Sequence, residues 1–182
     1  ARAHILENEG KLAESDASYR KAQIHQREIL ANMSTRAAFR EYSVAQAYRF
    51  QETLDADYVG SLILQGRLYE AELLARGMIP RNLQRTGRYS VWTAAAVRTL
   101  AEVLLGQSRF REAQALGQIA YDTIIGAGSA PYSQSALRSG QLIANSLIGR
   151  EEWSEAAKQI AALQEASRID PYVQRVTRGS SE

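Results

Sequence analysis

His4 and His25 are the only histidines in 182 residues, and the chain has no cysteine to accompany them. A metal site built from either would need further ligands at helical spacing, and neither has a carboxylate four residues on, so both read as structural or surface histidines. Glu52, Asp55 and Asp57 crowd carboxylates together, yet the glycine turn and terminal glutamate of a calcium loop are missing. That cluster reads as a solvated helix face. Gly126-Ala127-Gly128 offers pliable backbone without the lysine or the strand-to-helix setting that cradles a phosphate, and no serine stands in a nucleophile elbow. The expectation is no catalytic residue, no metal and no cofactor, and therefore no enzyme within this segment.

The one basic and aromatic neighbourhood is Arg81, Arg85 and Arg88 followed by Tyr89 and Trp92. Such a set can stack a base or clamp a phosphate. The plainer reading, which we prefer, is a solvated loop with two aromatics packed between neighbouring elements. Net charge argues the same way: 22 basic against 20 acidic side chains leave only +2, so nucleic acid stays a lesser alternative. The absence of cysteine removes disulfide scaffolds and thiol nucleophiles together. No apolar run approaches the ~20 residues of a membrane span. The expected setting is soluble and cytoplasmic, with export to the periplasm as the alternative. Ala1 begins the chain without Met or a signal-like apolar stretch, which reads as a fragment of a longer protein.

Whatever the chain binds must be held in place by a device it repeats. Gly66-Arg67-Leu68-Tyr69-Glu70-Ala71-Glu72-Leu73-Leu74 returns as Ser108-Arg109-Phe110-Arg111-Glu112-Ala113-Gln114-Ala115-Leu116 and as Glu151-Glu152-Trp153-Ser154-Glu155-Ala156-Ala157. Leu68, Phe110 and Trp153 stand 42 and 43 residues apart, as do Ala71, Ala113 and Ala156. Self-similarity at such a period signals stacked supersecondary units. Each hinge follows an apolar stripe at helical spacing: Tyr58, Val59, Leu62, Ile63; then Val97, Leu100, Ala101, Leu104; then Ile143, Ala144, Leu147, Ile148. Gly66, Gly106 and Gly149 are placed to close those helices in the left-handed conformation. Glu70, Glu112 and Glu155 fall in the first turn of the next helix, where a carboxylate complements exposed N–H groups. The alanines let paired helices approach, while Leu68, Phe110 and Trp153 plug the corner as core residues.

Few prolines and abundant Ala, Leu, Gln, Glu and Arg favour an all-α fold. The organisation expected is a single helical-repeat domain over 1–182: a partial repeat over 1–31, repeats over 34–85, 89–126 and 130–167, and a terminal helix over 170–177 opened by Asp170-Pro171. Ser34 is a candidate N-cap. Arg36 to Gln65 reads as one long helix, with a break near Thr53-Leu54-Asp55 as the rival. Pro80 should end or kink its helix near Ile79.

The hinge, with its apolar-Ala or apolar-Val lead-in, its glycine, its large apolar residue and its Glu-Ala, resembles the tetratricopeptide repeat in a form about eight residues longer than the usual ~34. The longer form is similar to repeats of the kinesin light chain and to those preceding bacterial caspase-like CHAT peptidase domains. The resemblance spans roughly Gly10 to Leu163 and implies a right-handed α-solenoid of stacked antiparallel helix hairpins. It also implies a protein-interaction scaffold whose concave face takes a peptide, a partner domain or an effector domain of the same chain. The residues lining that face by resemblance are Arg98 and Glu102, then Arg138, Gln141 and Asn145. The alternative is the regulatory repeat region of a CHAT peptidase, with catalysis outside this segment.

Overall fold

A computed structural model describes residues 2–34 and 41–168, and every element among them is helical. The helices are α1 (Arg2–Asn8), α2 (Leu12–Ser34), α3 (Glu41–Leu64), α4 (Leu68–Thr86), α5 (Val91–Gly106), α6 (Phe110–Gly126), α7 (Gln134–Gly149) and α8 (Trp153–Arg168). The all-α expectation is met. The expected terminal helix over 170–177, and residues 36–40 of the expected long helix, lie outside the described residues. Two compact units divide the chain within α4, Ala1–Met78 and Ile79–Glu182.

In the first unit α1 packs on α2 and α2 on α3. Tyr19 and Tyr58 stack across α2 and α3 with ring centroids 5.1 Å apart, and His4 meets Tyr19 edge-on at 6.0 Å. Burial, with the charges of Glu7 and Asp57, pushes the Tyr19 phenol above its ordinary range. The Tyr58 hydroxyl donates to Asp16 Oδ1 at 2.6 Å, and Arg67 Nη1 donates to the same oxygen at 2.7 Å. Arg67 also grips Glu70 with both Nε and Nη2, at 2.7 and 2.6 Å, a bidentate geometry only a guanidinium offers. Burial by itself would raise the Asp16 carboxyl, but the bonds from Tyr58 and Arg67 and the charges of Arg67 and Arg20 hold it below the usual range. His25 is exposed on α2, beside Glu28.

The acidic cluster on α3 is not a solvated face. Glu52 and Asp55 are 7% and 4% exposed. The reason is that this side of α3 lies against its neighbours: Gln23 Nε2 of α2 donates to Asp55 Oδ1 at 2.7 Å, and Asp57 meets His4 of α1. Nor does α3 break near Thr53-Leu54-Asp55. Ser34, the candidate N-cap, is the last residue of α2, and the start of the helix it was expected to cap lies outside the described residues.

In the second unit α5 packs on α6, α6 on α7, α7 on α8, and α7 also reaches α5. Ser90 caps α5 by accepting the Trp92 N–H, and Ser133 caps α7 by accepting the Ala136 N–H. The hinges sit where their sequences place them, with helices opening at Leu68, Phe110 and Trp153. Ala71 and Ala113 are fully buried and Ala156 nearly so, as close helix approach requires. Ser15 of α2 is equally buried and donates to Glu7 Oε1 of α1 at 3.1 Å.

The left-handed residue is not always the glycine expected. At the end of α3 the Gly66 N–H donates to Ile63 O and the Arg67 N–H to Leu62 O, both at 2.9 Å, the paired bonds of a Schellman closure. The same pair closes α5 at Ser108 and Arg109 and α7 at Glu151 and Glu152. Gly66, Ser108 and Glu151 therefore occupy the left-handed position in register, with φ of 72°, 61° and 61°. Gly106 and Gly149 are instead the last helical residues. Gly149 is small for another reason: a Cβ there would lie 2.4 Å from Phe110 Cε1.

α4 does not end at Pro80 but stays helical to Thr86. A proline leaves the carbonyl four residues back without its N–H, and Pro80 and Arg76 are both exposed, so water can serve that carbonyl. Trp153 is not core: it is 63% exposed, whereas Phe110 is half-buried against Gly149. Phe110 has the next helix pair to lean on. Trp153 opens the last described helix and has none among the described residues.

Candidate functional site

α7 carries a buried stripe, Ala136, Ser139, Gly140, Ile143 and Leu147, that turns it onto the rest of the second unit. Gly140 lets α8 come close, since a Cβ there would meet Leu163 Cδ2 at 2.4 Å, and Gln159 Nε2 donates to the Gly140 carbonyl at 3.4 Å. With the helices locked side by side, the residues one step around from this contact are left facing outward along a shared groove.

That groove measures about 510 Å³. Leu137 and Ala144 of α7 with Ile160 and Leu163 of α8 supply its apolar lining. Arg138, Gln141 and Asn145 of α7 and Gln164 of α8 supply its polar groups, and Tyr132 marks one end. All four polar side chains are exposed. Arg138 is the one charged residue of the lining and makes no ion pair among the described residues. Chemically this is an apolar trough with amide donors and acceptors and one cation beside it, suited to a peptide's backbone amides, its aliphatic side chains and a carboxylate.

Of the five residues expected on the binding face, the structure thus gathers Arg138, Gln141 and Asn145 in one groove. Arg98 and Glu102 occupy the corresponding places on α5, and there they bond to each other as an i, i+4 pair. Ile160 and Leu163 were missed by sequence reasoning. Both belong to the second helix of the hairpin, where the repeat pattern assigns apolar residues to the core, and nothing local distinguishes a covered apolar position from an uncovered one.

The basic and aromatic set does not make a second groove. Arg81 is half-buried and Arg85 exposed on α4, Arg88 stands over the Tyr89 ring at 5.5 Å, and Trp92 is half-buried in the first turn of α5. The Tyr89 ring also covers Gly126, where a Cβ would lie 2.8 Å from Tyr89 Cδ1. A second cavity of about 480 Å³ at the α5–α6 hinge pairs most of its charges: Arg109 grips Glu112 at 2.6 and 2.8 Å, and Arg150 meets Glu152 at 2.5 Å. With Arg111 also in the lining, three guanidiniums face two carboxylates, which leaves one positive charge in excess. Among the described residues no helix is long and apolar enough to cross a membrane.

No protein-family model, curated protein or solved structure matches this chain.

Proposed function

We propose that this chain is a protein-interaction scaffold, a tetratricopeptide-like right-handed α-solenoid that takes a segment of a partner protein against the α7–α8 groove. The observation that carries the reading is the convergence of Arg138, Gln141 and Asn145 beside the apolar strip of Leu137, Ile160 and Leu163 in one exposed trough. Polar groups on rigid helices lose little entropy on binding, and an apolar strip beside them supplies the driving force. The stacking of α5, α6, α7 and α8 at a 43-residue register supports the solenoid part of the reading.

A peptide array probed with the purified chain tests it. Peptides that combine an acidic residue with aliphatic ones are expected to bind, and Arg138→Glu or Asn145→Ala to weaken that binding about tenfold while helicity and melting stay unchanged. Undiminished binding by both variants overturns the assignment of this groove.

A further inference from the structure

The α7–α8 groove has a covered counterpart one layer earlier. α5 and α7 are both 16 residues long and start 43 positions apart, as α6 and α8 do. On that register Leu137, Ala144, Ile160 and Leu163 correspond to Ala94, Ala101, Gly117 and Ala120. Those four are buried, and α7 packs against both helices that carry them. A Cβ on Gly117 would lie 2.8 Å from Leu142 Cδ2, so α7 lays large side chains onto a floor of small ones. The next floor inverts that pattern, with large residues at three of the four positions, and Ile160 is 39% exposed.

A second uncovered feature shares the register. Phe110 opens α6 and rests on Gly149, the last residue of the helix lying over its layer. Trp153 opens α8 in the same way and is 63% exposed. An exposed indole at the end of an apolar trough is a common anchor of a protein interface, since one rigid ring supplies much area at little entropic cost.

We propose that this face of α7 and α8 docks an amphipathic α-helix of a separate partner protein, about sixteen residues or ~24 Å long. It lies over α7 and α8 as α7 lies over α5 and α6, continuing the established packing by one layer. It turns small residues toward Leu137, Ile160 and Leu163, so that large side chains again meet small ones, as Leu142 meets Gly117 one layer earlier, which keeps the axes at the close end of the ~8–10 Å range. It sets a carboxylate against Arg138 and a small residue against Trp153. The chain's own stretch Tyr172–Arg178, bounded by Pro171 and Gly179, carries Val173 and Val176 and no stripe of small residues. This inference rests on the groove being an interaction site and specifies what occupies it.

The test uses the unaltered chain labelled with 5-fluorotryptophan, whose two tryptophans give two ¹⁹F signals, Trp153→Phe assigning one of them. The probes are a stapled sixteen-residue helix with alanines along one face and a glutamate flanking them, and a peptide of the same composition broken by two central prolines. The expected result is a monomer in sedimentation, a Trp153 signal that shifts with the stapled helix alone, an unmoved Trp92 signal, and affinity about tenfold weaker, or ~1.4 kcal/mol, in Arg138→Glu. Binding of both peptides without a Trp153 shift overturns the helix while leaving the groove as a binding site. Binding of neither overturns both readings. A dimer with Trp153 already shielded before any peptide is added makes a second copy the occupant and overturns the proposal, as does undiminished affinity in Arg138→Glu.

Discussion

Replacing Gly149 by alanine sets two effects of opposite sign against each other at the hinge. The new Cβ would lie 2.4, 2.5 and 2.7 Å from Phe110 Cε1, Cδ1 and Cζ, so the ring must leave its seat. Overpacking of this kind costs about 1–3 kcal/mol. Against it, alanine is favoured over glycine in a helix by up to ~1 kcal/mol, and less at a final residue such as this one. The net expectation is a loss of about 1 kcal/mol. Phe110→Ala alone should cost about 2 kcal/mol, below the ~3–5 of a fully buried phenylalanine because this ring is half-buried. In the Phe110→Ala background the clash is gone, and Gly149→Ala should turn neutral or stabilising. The coupling is therefore on the order of 1–2 kcal/mol. Urea denaturation followed by tryptophan fluorescence reads it cleanly, since Trp92 and Trp153 both lie in the unit Ile79–Glu182. Additivity within about 0.5 kcal/mol would show that the ring does not rest on Gly149.

Trp153→Ala should change the same denaturation midpoint by less than half as much as Phe110→Ala, because the indole is 63% exposed; an equal loss would refute its exposure. Ser108→Gly and Glu151→Gly should each stabilise by about 0.5–1 kcal/mol, since an L side chain at φ of 61° is strained, and Gly128→Ala at φ of 84° should destabilise by a similar amount; midpoints moving the other way would contradict the left-handed assignment. Asp16 titrates lower in the folded than in the unfolded chain, so its contribution is present above the unfolded value near ~3.9 and is lost as pH falls through the folded one. Near-ultraviolet circular dichroism of the Tyr19–Tyr58 stack should therefore show Asp16→Asn flattening the acid transition of the unit Ala1–Met78, and an unchanged transition would remove Asp16 from that account.

The amino-acid sequence by itself determined the helices and the hinges, because both are written in near neighbours. Apolar spacing from Val97 to Leu104 or from Ile143 to Ile148 is local, and so is the run from a left-handed residue through a large apolar one to a buried alanine; hence the starts at Leu68, Phe110 and Trp153 and the burial of Ala71, Ala113 and Ala156 were legible. The rest was decided between residues far apart in the chain. Pro80 is tolerated because its side of α4 meets water, and Glu52 and Asp55 are buried because α2 brings Gln23 to that side of α3. Gly149 is a seat for Phe110, 39 positions earlier, and Trp153 is exposed where Phe110 is not because only Phe110 has a following layer among the described residues. The repeat put Arg138, Gln141 and Asn145 on one helix face, but a groove needs a second wall. Ile160 and Leu163 became that wall only when the small Gly140 let α8 settle against α7, a contact that depends on the fold and on no local pattern.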